Sequence, residues 1–338
     1  MAEIIKIQTK GESILIRKER KIPIKVLKLE ALLRRLSKAH LKYPLIKEDL
    51  AKIKAGYRGE QSLDYYLSFL SNDKYHILHD LRLLHKTHHF QIDSLLLSPN
   101  FILIMEIKNI AGTLYFDHSF NQFIRTFDGK EEVFPNPLFQ IVRHKMQLTN
   151  WLNEHLNLDV PVETLLIFSN ASAIIKSSNP HSHSMKPVIQ SAELISKVEE
   201  FEKKYKMPVM TDKQLKKIIK NLLKNHTASE VDVLDSYSIL PEDIIIGVIC
   251  SHCESYPINK INGNWKCRTC GNLAKRGHMD ALTDYALLFD TKISNKEMRS
   301  FLNLNSRNAA AYLMKKEGFP AEGEKKSTVY DLSRLINQ

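Results

Sequence analysis

No apolar run in this 338-residue chain approaches the roughly 18 residues that a membrane-spanning helix needs. Met1 to Lys10 lacks the long apolar stretch of a secretory signal, so neither export nor a membrane partner is expected. Cysteine is scarce, and all four copies fall in two pairs, Cys250-x-x-Cys253 and Cys267-x-x-Cys270, with none left over. That usage excludes the dense disulfide framework of a small secreted scaffold and makes a reducing cytoplasm the expected home. No internal repeat and no low-complexity tract interrupts the chain.

What is present is a globular composition, 43% hydrophobic and 26% charged, long enough for two or three domains. The net charge of +11 is unevenly spread. Residues 1–56 carry 15 Lys/Arg against 6 Asp/Glu, and residues 250–338 carry 14 against 9. The middle, 57–249, carries 20 against 23. Basic ends around a mildly acidic middle suit a polyanion gripped outside the chemistry, or simply a solvated basic surface.

The chemistry is expected in the middle. Phe101 to Ile107 is an almost unbroken apolar run that predicts a buried strand, yet it contains Glu106 and is followed by Lys108. A carboxylate and an ammonium in such a strand must be paired or hold a metal. Strand alternation puts Glu106 and Lys108 on one face. A two-residue turn at Pro99-Asn100 would place Asp93 of Gln91-Ile92-Asp93 opposite Glu106. Two acids and a lysine then converge as a divalent-metal hydrolase requires. A structural ion-pair cluster is the plainer alternative.

Further strands are predicted near 75–84, 113–116, 122–126, 132–134 and 162–168, with Asp128-Gly129 as a hairpin turn. A short apolar-polar alternation runs from Ile4 to Gln8. Helices are predicted over 26–38, over 45–54, from about 57 through Leu70, and over 138–155, 194–205 and 212–224, with 169–187 as a surface loop. The expected division is a basic extension over 1–56, a catalytic domain over 57–240, a ribbon over 241–279 and a helical tail over 280–338.

Four segments occur in a telling order: Gly56-Tyr57-Arg58-Gly59-Glu60, Gln91-Ile92-Asp93, Glu106-Ile107-Lys108-Asn109 with Gly112, and Asn136-Pro137-Leu138-Phe139-Gln140. Together they resemble the nuclease-related domain family, NERD, of the PD-(D/E)xK nuclease superfamily, over about residues 50–170. The resemblance implies an α/β fold like that of restriction endonucleases, with a mixed four- or five-stranded sheet flanked by helices and a divalent-metal site. Asp93, Glu106 and the main-chain carbonyl of Ile107 would ligate Mg²⁺ or Mn²⁺, and Glu60, at a helix start, would reach the metal directly or through water. As a helix-start carboxylate, Glu60 has the macrodipole as its plainer explanation. Lys108 would orient or deprotonate the attacking water. The family's motif sets Gln140 beside the site to hold Lys108 or a phosphate, and His144 shares its helical face. DNA is the expected substrate; RNA cleavage, or a non-cleaving DNA-binding protein on a nuclease fold, are the alternatives.

The cysteine pairs, 13 residues apart, read as the two knuckles of a zinc ribbon holding one structural Zn²⁺. Such closure supplies about 10–16 kcal/mol of apparent binding energy in small zinc peptides. His252, inside the first knuckle, reads as a surface residue. Beyond the ribbon, Ser294-Asn295-Lys296-Glu297 is a capping box, a turn follows at 303–305, and a second helix ends at Gly318. This resembles a helix-turn-helix with a wing near 328–330, or a plain helical cap. Arg307, Asn308 and Tyr312 are the candidate nucleic-acid contacts. The histidines His85, His88, His89, His181 and His183 read as exposed or phosphate-near.

Overall fold

The protein is described by a computed structural model covering residues 15–70, 74–261, 263–323 and 327–336. The alternation expected at 4–8 lies outside the described residues. In chain order the leading elements are β1 (Leu15–Lys18), α1 (Ile24–Arg35), α2 (Tyr43–Leu67), β2 (His76–His85), β3 (His88–Leu97) and β4 (Ile102–Lys108). Then come β5 (Thr113–Asp117), β6 (Gln122–Phe127), β7 (Lys130–Phe134), α3 (Pro137–Leu156), β8 (Val162–Phe168), β9 (Ile174–Ser177) and β10 (Val188–Gln190). Two helices, α4 (Leu194–Lys204) and α5 (Asp212–Asn225), follow. The chain divides into two compact units, one taking residues up to Lys21 and Lys54–Ser229, the other Ile22–Ile53 and everything from Glu230. The basic stretch 1–56 is thus shared between units.

In the first unit a six-stranded mixed sheet runs β1-β2-β3-β4-β8-β10, wider than the four or five strands expected. The added edges are strands of three and four residues, too short to carry a readable alternation. β4 is apolar from Ile102 to Met105 because both of its faces are covered there. Ile102 and Ile104 pack with Leu148 and Trp151 of α3 and Leu215 and Ile218 of α5. Leu103, Met105 and Ile107 pack instead with Leu63 of α2 and Leu194 of α4. A second sheet, β7-β6-β5-β9, turns at Asp128 and Gly129, both at positive φ as a tight hairpin needs. Its β9 lies inside the segment expected to be loop.

One expectation about α2 fails. The helices expected over 45–54 and from 57 are one helix of 25 residues that passes through Gly56 and Gly59. Tertiary packing overrides the glycines' low helix propensity. A Cβ on Gly59 would sit 2.4 Å from Asn109 Cβ and 2.7 Å from Ser169 Oγ, so only glycine lets the strand ends approach the helix. Asn109 Nδ2 then donates to the Ala55 carbonyl at 2.7 Å. Glu60 therefore lies deep within a helix, beyond the reach of the N-terminal macrodipole.

The second unit has α1, the start of α2, α6 (Val233–Tyr237), the ribbon strands β11 (Asn259–Ile261), β12 (Asn264–Lys266) and β13 (Leu273–Ala274), and α7 (Gly277–Leu288). It ends with β14 (Lys292–Ser294), α8 (Asn295–Leu302), α9 (Arg307–Glu317), β15 (Ala321–Glu322) and β16 (Val329–Asp331). The ribbon and tail, expected as separate modules, share one core in which Cys250, Cys267 and Trp265 join Leu32, Leu282, Phe301 and Leu313. The Ser294–Glu297 capping box forms, with bonds of 2.8 and 3.2 Å, and Gly318 ends α9 at φ 67. β14, β16 and β15 make a small antiparallel sheet in the place expected of a wing.

This core encloses a guanidinium. Arg35, 1% exposed, donates from Nε to Asp284 Oδ2 at 2.8 Å and from Nη1 to the Gly247 and Ile245 carbonyls at 2.6 and 3.1 Å. Arg34 donates to the other Asp284 oxygen at 2.6 Å. Burial lowers the Arg35 pKa, and Asp284 opposes that shift. Removing one partner strands the other, so Asp284→Ala should cost about 3–5 kcal/mol in denaturant unfolding. The double change Arg35→Met with Asp284→Leu should cost less than Asp284→Ala alone; a larger loss would mean that the pair itself stabilises the core.

Candidate active site and four-cysteine centre

β3 and β4 pair antiparallel from Leu97↔Ile102 to Ser94↔Met105, so that facing residues are those brought together by a two-residue turn at Pro99-Asn100. Beyond that pair the ladder stops. The Ile107 N–H, which continued pairing would have managed within the sheet, donates instead to Asp93 Oδ2 at 2.8 Å. β2 is also irregular here: its pairing with β3 skips from His79↔Ser94 to Leu81↔Ile92, with Asp80 at φ 51. Asp93 thus occupies a break in the ladders on both sides.

On β4, Glu106 is 2% exposed and Lys108 is half-buried. Lys108 Nζ donates to Glu106 Oε1 at 2.7 Å and to Gln140 Oε1 at 3.1 Å, while Gln140 Nε2 donates to Glu106 Oε1 at 2.6 Å. The three side chains form a closed triangle. Gln140 reaches it because Asn136 caps α3, accepting the Leu138 N–H at 3.0 Å, with Pro137 in the first turn. One turn further along α3, His144 Nδ1 lies 3.5 Å from Glu106 Oε2, a longer approach than the Lys108 and Gln140 bonds to the other oxygen. Both atoms are buried without a hydrogen-bond partner.

Glu60 is held separately. Arg20, its side chain 4% exposed, donates to Glu60 Oε2 at 2.7 Å, to Asp64 Oδ1 at 3.3 Å and to Ser94 Oγ at 3.0 Å. His79 Nδ1 lies 2.9 Å from the same guanidinium, and burial, with Arg20 and Lys18, pushes His79 down to about 3. The imidazole is therefore neutral and accepts. Sequence reasoning missed Arg20, Asp64, His79 and Ser94. Only the i, i+4 spacing of Glu60 and Asp64 hinted at a shared partner, and nothing marked Arg20 as that partner.

Electrostatics distinguishes the acids. Burial raises Asp93 well above the usual carboxylate range, and Glu106 and Glu60 add to that; the Ile107 N–H and Lys108 oppose it. Burial also raises Glu60 against the pull of Arg20. Burial acts on Glu106 in the same direction, but His144 and Lys108 outweigh it and hold Glu106 below its ordinary value.

Residues 55–169 match the family described as NERD, nuclease-related domain. The match spans 115 of the 338 residues. No curated protein and no solved structure matches the chain.

The matched stretch contains Glu60, Asp93, Glu106, Lys108 and Gln140 and excludes Arg20. A nuclease-related domain implies a divalent metal, and the donors here fit one: hard carboxylate oxygens, an orphaned Glu106 Oε2, and crowding that raises Asp93. Asp93, Glu106 and Glu60 do not bring three ligand oxygens within 4.8 Å of one another; among the described residues only the four cysteines form such a group. Two carboxylates completed by water and substrate oxygens are the usual Mg²⁺ set.

The cysteine centre has the features of a zinc ribbon. All four Sγ atoms lie within 4.8 Å, with Cys253–Cys267 at 3.5 Å and Cys250–Cys270 at 3.7 Å. Tetrahedral Zn–S bonds imply about 3.8 Å between sulfurs, and a disulfide needs about 2.05 Å. The knuckles repeat one turn: Cys250 N–H donates to Ser255 O and Glu254 N–H to Cys250 O, as Cys267 N–H does to Asn272 O and Gly271 N–H to Cys267 O. Glu254 and Gly271, fourth after each leading cysteine, are both at positive φ. The Cys270 N–H holds the Cys267 thiol down at about 6. The Asn272 N–H favours the Cys270 thiolate, but desolvation and the surrounding sulfurs together push Cys270 up to about 12. Such crowding of thiolates is what a divalent cation relieves. His252 is exposed and outside the cluster.

In the tail, Arg307, Asn308 and Tyr312 are all exposed on α9. Of the histidines, His88, His89, His181 and His183 are exposed, but His85 is buried, edge-on to Phe90 across the hairpin end. Its strand alternation turns it to the core, which corrects the expectation for that residue.

Because the knuckles share the second unit's core, Cys267→Ser should do more than loosen a ribbon. It should lower the zinc content measured by metal analysis and the melting temperature of the transition that exposes the buried Trp265. Unchanged zinc and an unchanged melt would contradict a structural metal there.

Proposed function

We propose that the first unit hydrolyses phosphodiester bonds in DNA with Mg²⁺ or Mn²⁺ held by Asp93, Glu106 and the Ile107 carbonyl. The observation that carries this reading is the Lys108–Glu106–Gln140 triangle beside Asp93 at the ladder break. When bound, the metal supplies Lewis-acid polarisation of the phosphate and a more acidic water.

The chain's own residues do the rest. Glu106, held anionic by His144 and Lys108, presents its free Oε2, and Asp93 gains its full charge once a cation offsets the crowding. Lys108, fixed in direction by Gln140, orients the attacking water and stabilises charge growing on the phosphate oxygens. Glu60, occupied by Arg20, contributes charge near the site, directly or through water. The ribbon and tail position the nucleic acid, with α9 presenting Arg307, Asn308 and Tyr312 to the major groove. Reduced thiols in the zinc centre suit a cytoplasmic protein.

The test is cleavage of linear and circular DNA and of RNA by the full chain, in Mg²⁺, Mn²⁺ or EDTA. DNA should be cut in either metal and left intact in EDTA. Asp93→Asn and Glu106→Gln should abolish cutting, and Lys108→Ala should slow it about 100-fold or more. Wild-type rates in Asp93→Asn and Glu106→Gln would place the chemistry elsewhere, and cutting of RNA alone would replace the substrate.

A further inference from the structure

We infer that the solvent face of α5 is a grip for the phosphate backbone of DNA, an inference that rests on the nuclease reading of the same unit. α5 carries Lys213, Lys216, Lys217, Lys220 and Lys224, against a single acid, Asp212, in its first turn. At 3.6 residues per turn these lysines fall within an arc of about 100° and span about 16 Å along the axis. All five are exposed, and none makes an ion pair with a described residue.

The opposite face is fully used. Leu215, Ile218, Ile219 and Leu222 are buried in the cluster shared with α3 and the sheet. That face is unavailable to lipid, so α5 cannot lie in a membrane interface as free basic amphipathic helices do. What remains outward is mainly charge, with Leu223 exposed at its margin. Lysines spaced three and four apart repel one another, and within the helix nothing offsets this beyond Asp212 and, for Lys224, the favourable C-terminal dipole. A polyanion laid along the stripe removes the repulsion and releases its own counterions.

The stripe is also on the relevant side. α5 packs on the sheet face to which Ile102 and Ile104 point, and Glu106 continues their alternation, with α3 supplying Gln140 and His144 from the same layer. A strand held along α5 is thus held by the layer that builds the site.

The experiment compares full-length wild type with two variants changing all five lysines, one to Gln and one to Arg. Affinity for a short DNA duplex is measured against salt concentration with no Mg²⁺ or Mn²⁺ added, so that no cutting interferes and the cysteine centre keeps its zinc. Each phosphate contact adds about 0.9 to the slope of log affinity against log salt, so the Gln variant should lose about 4.5 from that slope if all five contacts form. The Arg variant should keep both slope and affinity. Thermal unfolding of the Gln variant should not fall, because the lysines contribute no described ion pair. An unchanged slope and affinity in the Gln variant would overturn the grip. Wild type that binds steeply yet never cuts in Mg²⁺ would refute the hydrolysis and leave the grip standing.

Discussion

The parting of β4 from β3 after Ser94↔Met105 is the constraint on which the candidate site depends. A buried strand that leaves its neighbour exposes backbone donors that must find partners elsewhere. Asp93 meets that demand at Ile107, and in doing so a carboxylate is fixed by the backbone, not by a mobile side chain. β4 meanwhile stays paired to β8 through Lys108, so its end does not fray. The strand is rigid on one side and open on the other. Groups placed on it keep their geometry without further ordering, which is what electrostatic preorganisation requires.

Each unit also buries a guanidinium, and the contrast between them is instructive. Arg35 is matched to one carboxylate and two carbonyls, a closed set whose consequence is structural. Arg20 faces Glu60, Asp64, a neutral His79 and Ser94, so one cation is shared between two acids. The set is acid-rich, and Glu60 remains raised despite it. An acid-rich, partly compensated cluster beside the Asp93–Glu106 pair is consistent with a place where further positive charge is brought in.

Legibility followed the range of the interactions. The β4 run, the Asp128-Gly129 turn, the Ser294–Glu297 box and the cysteine knuckles are set by neighbours within a few residues, and their patterns could be read directly. The continuity of α2 could not, because the reason for Gly59 is Asn109 and Ser169, some fifty and a hundred residues away in sequence. Arg20 gave no local signal, since its four partners come from one helix and two strands. His85 was misplaced for a related reason: strand phase outranked the polarity of the His-rich stretch around it.

Net charge is a coarse guide, because it averages over surfaces that act separately. Residues 57–249 sum to slightly negative, and on that sum the grip belonged at the chain's ends. Yet a phosphate backbone interacts over about 8 Å at physiological salt, not over a whole domain. Within that range the acids Glu60, Asp64, Asp93 and Glu106 repel it, while the face of α5 attracts it. Acids gathered at one place and lysines at another cancel on paper and do not cancel in space. A catalytic unit that concentrates carboxylates to hold a cation must gather its own compensating lysines, or its substrate is pushed away before the chemistry begins.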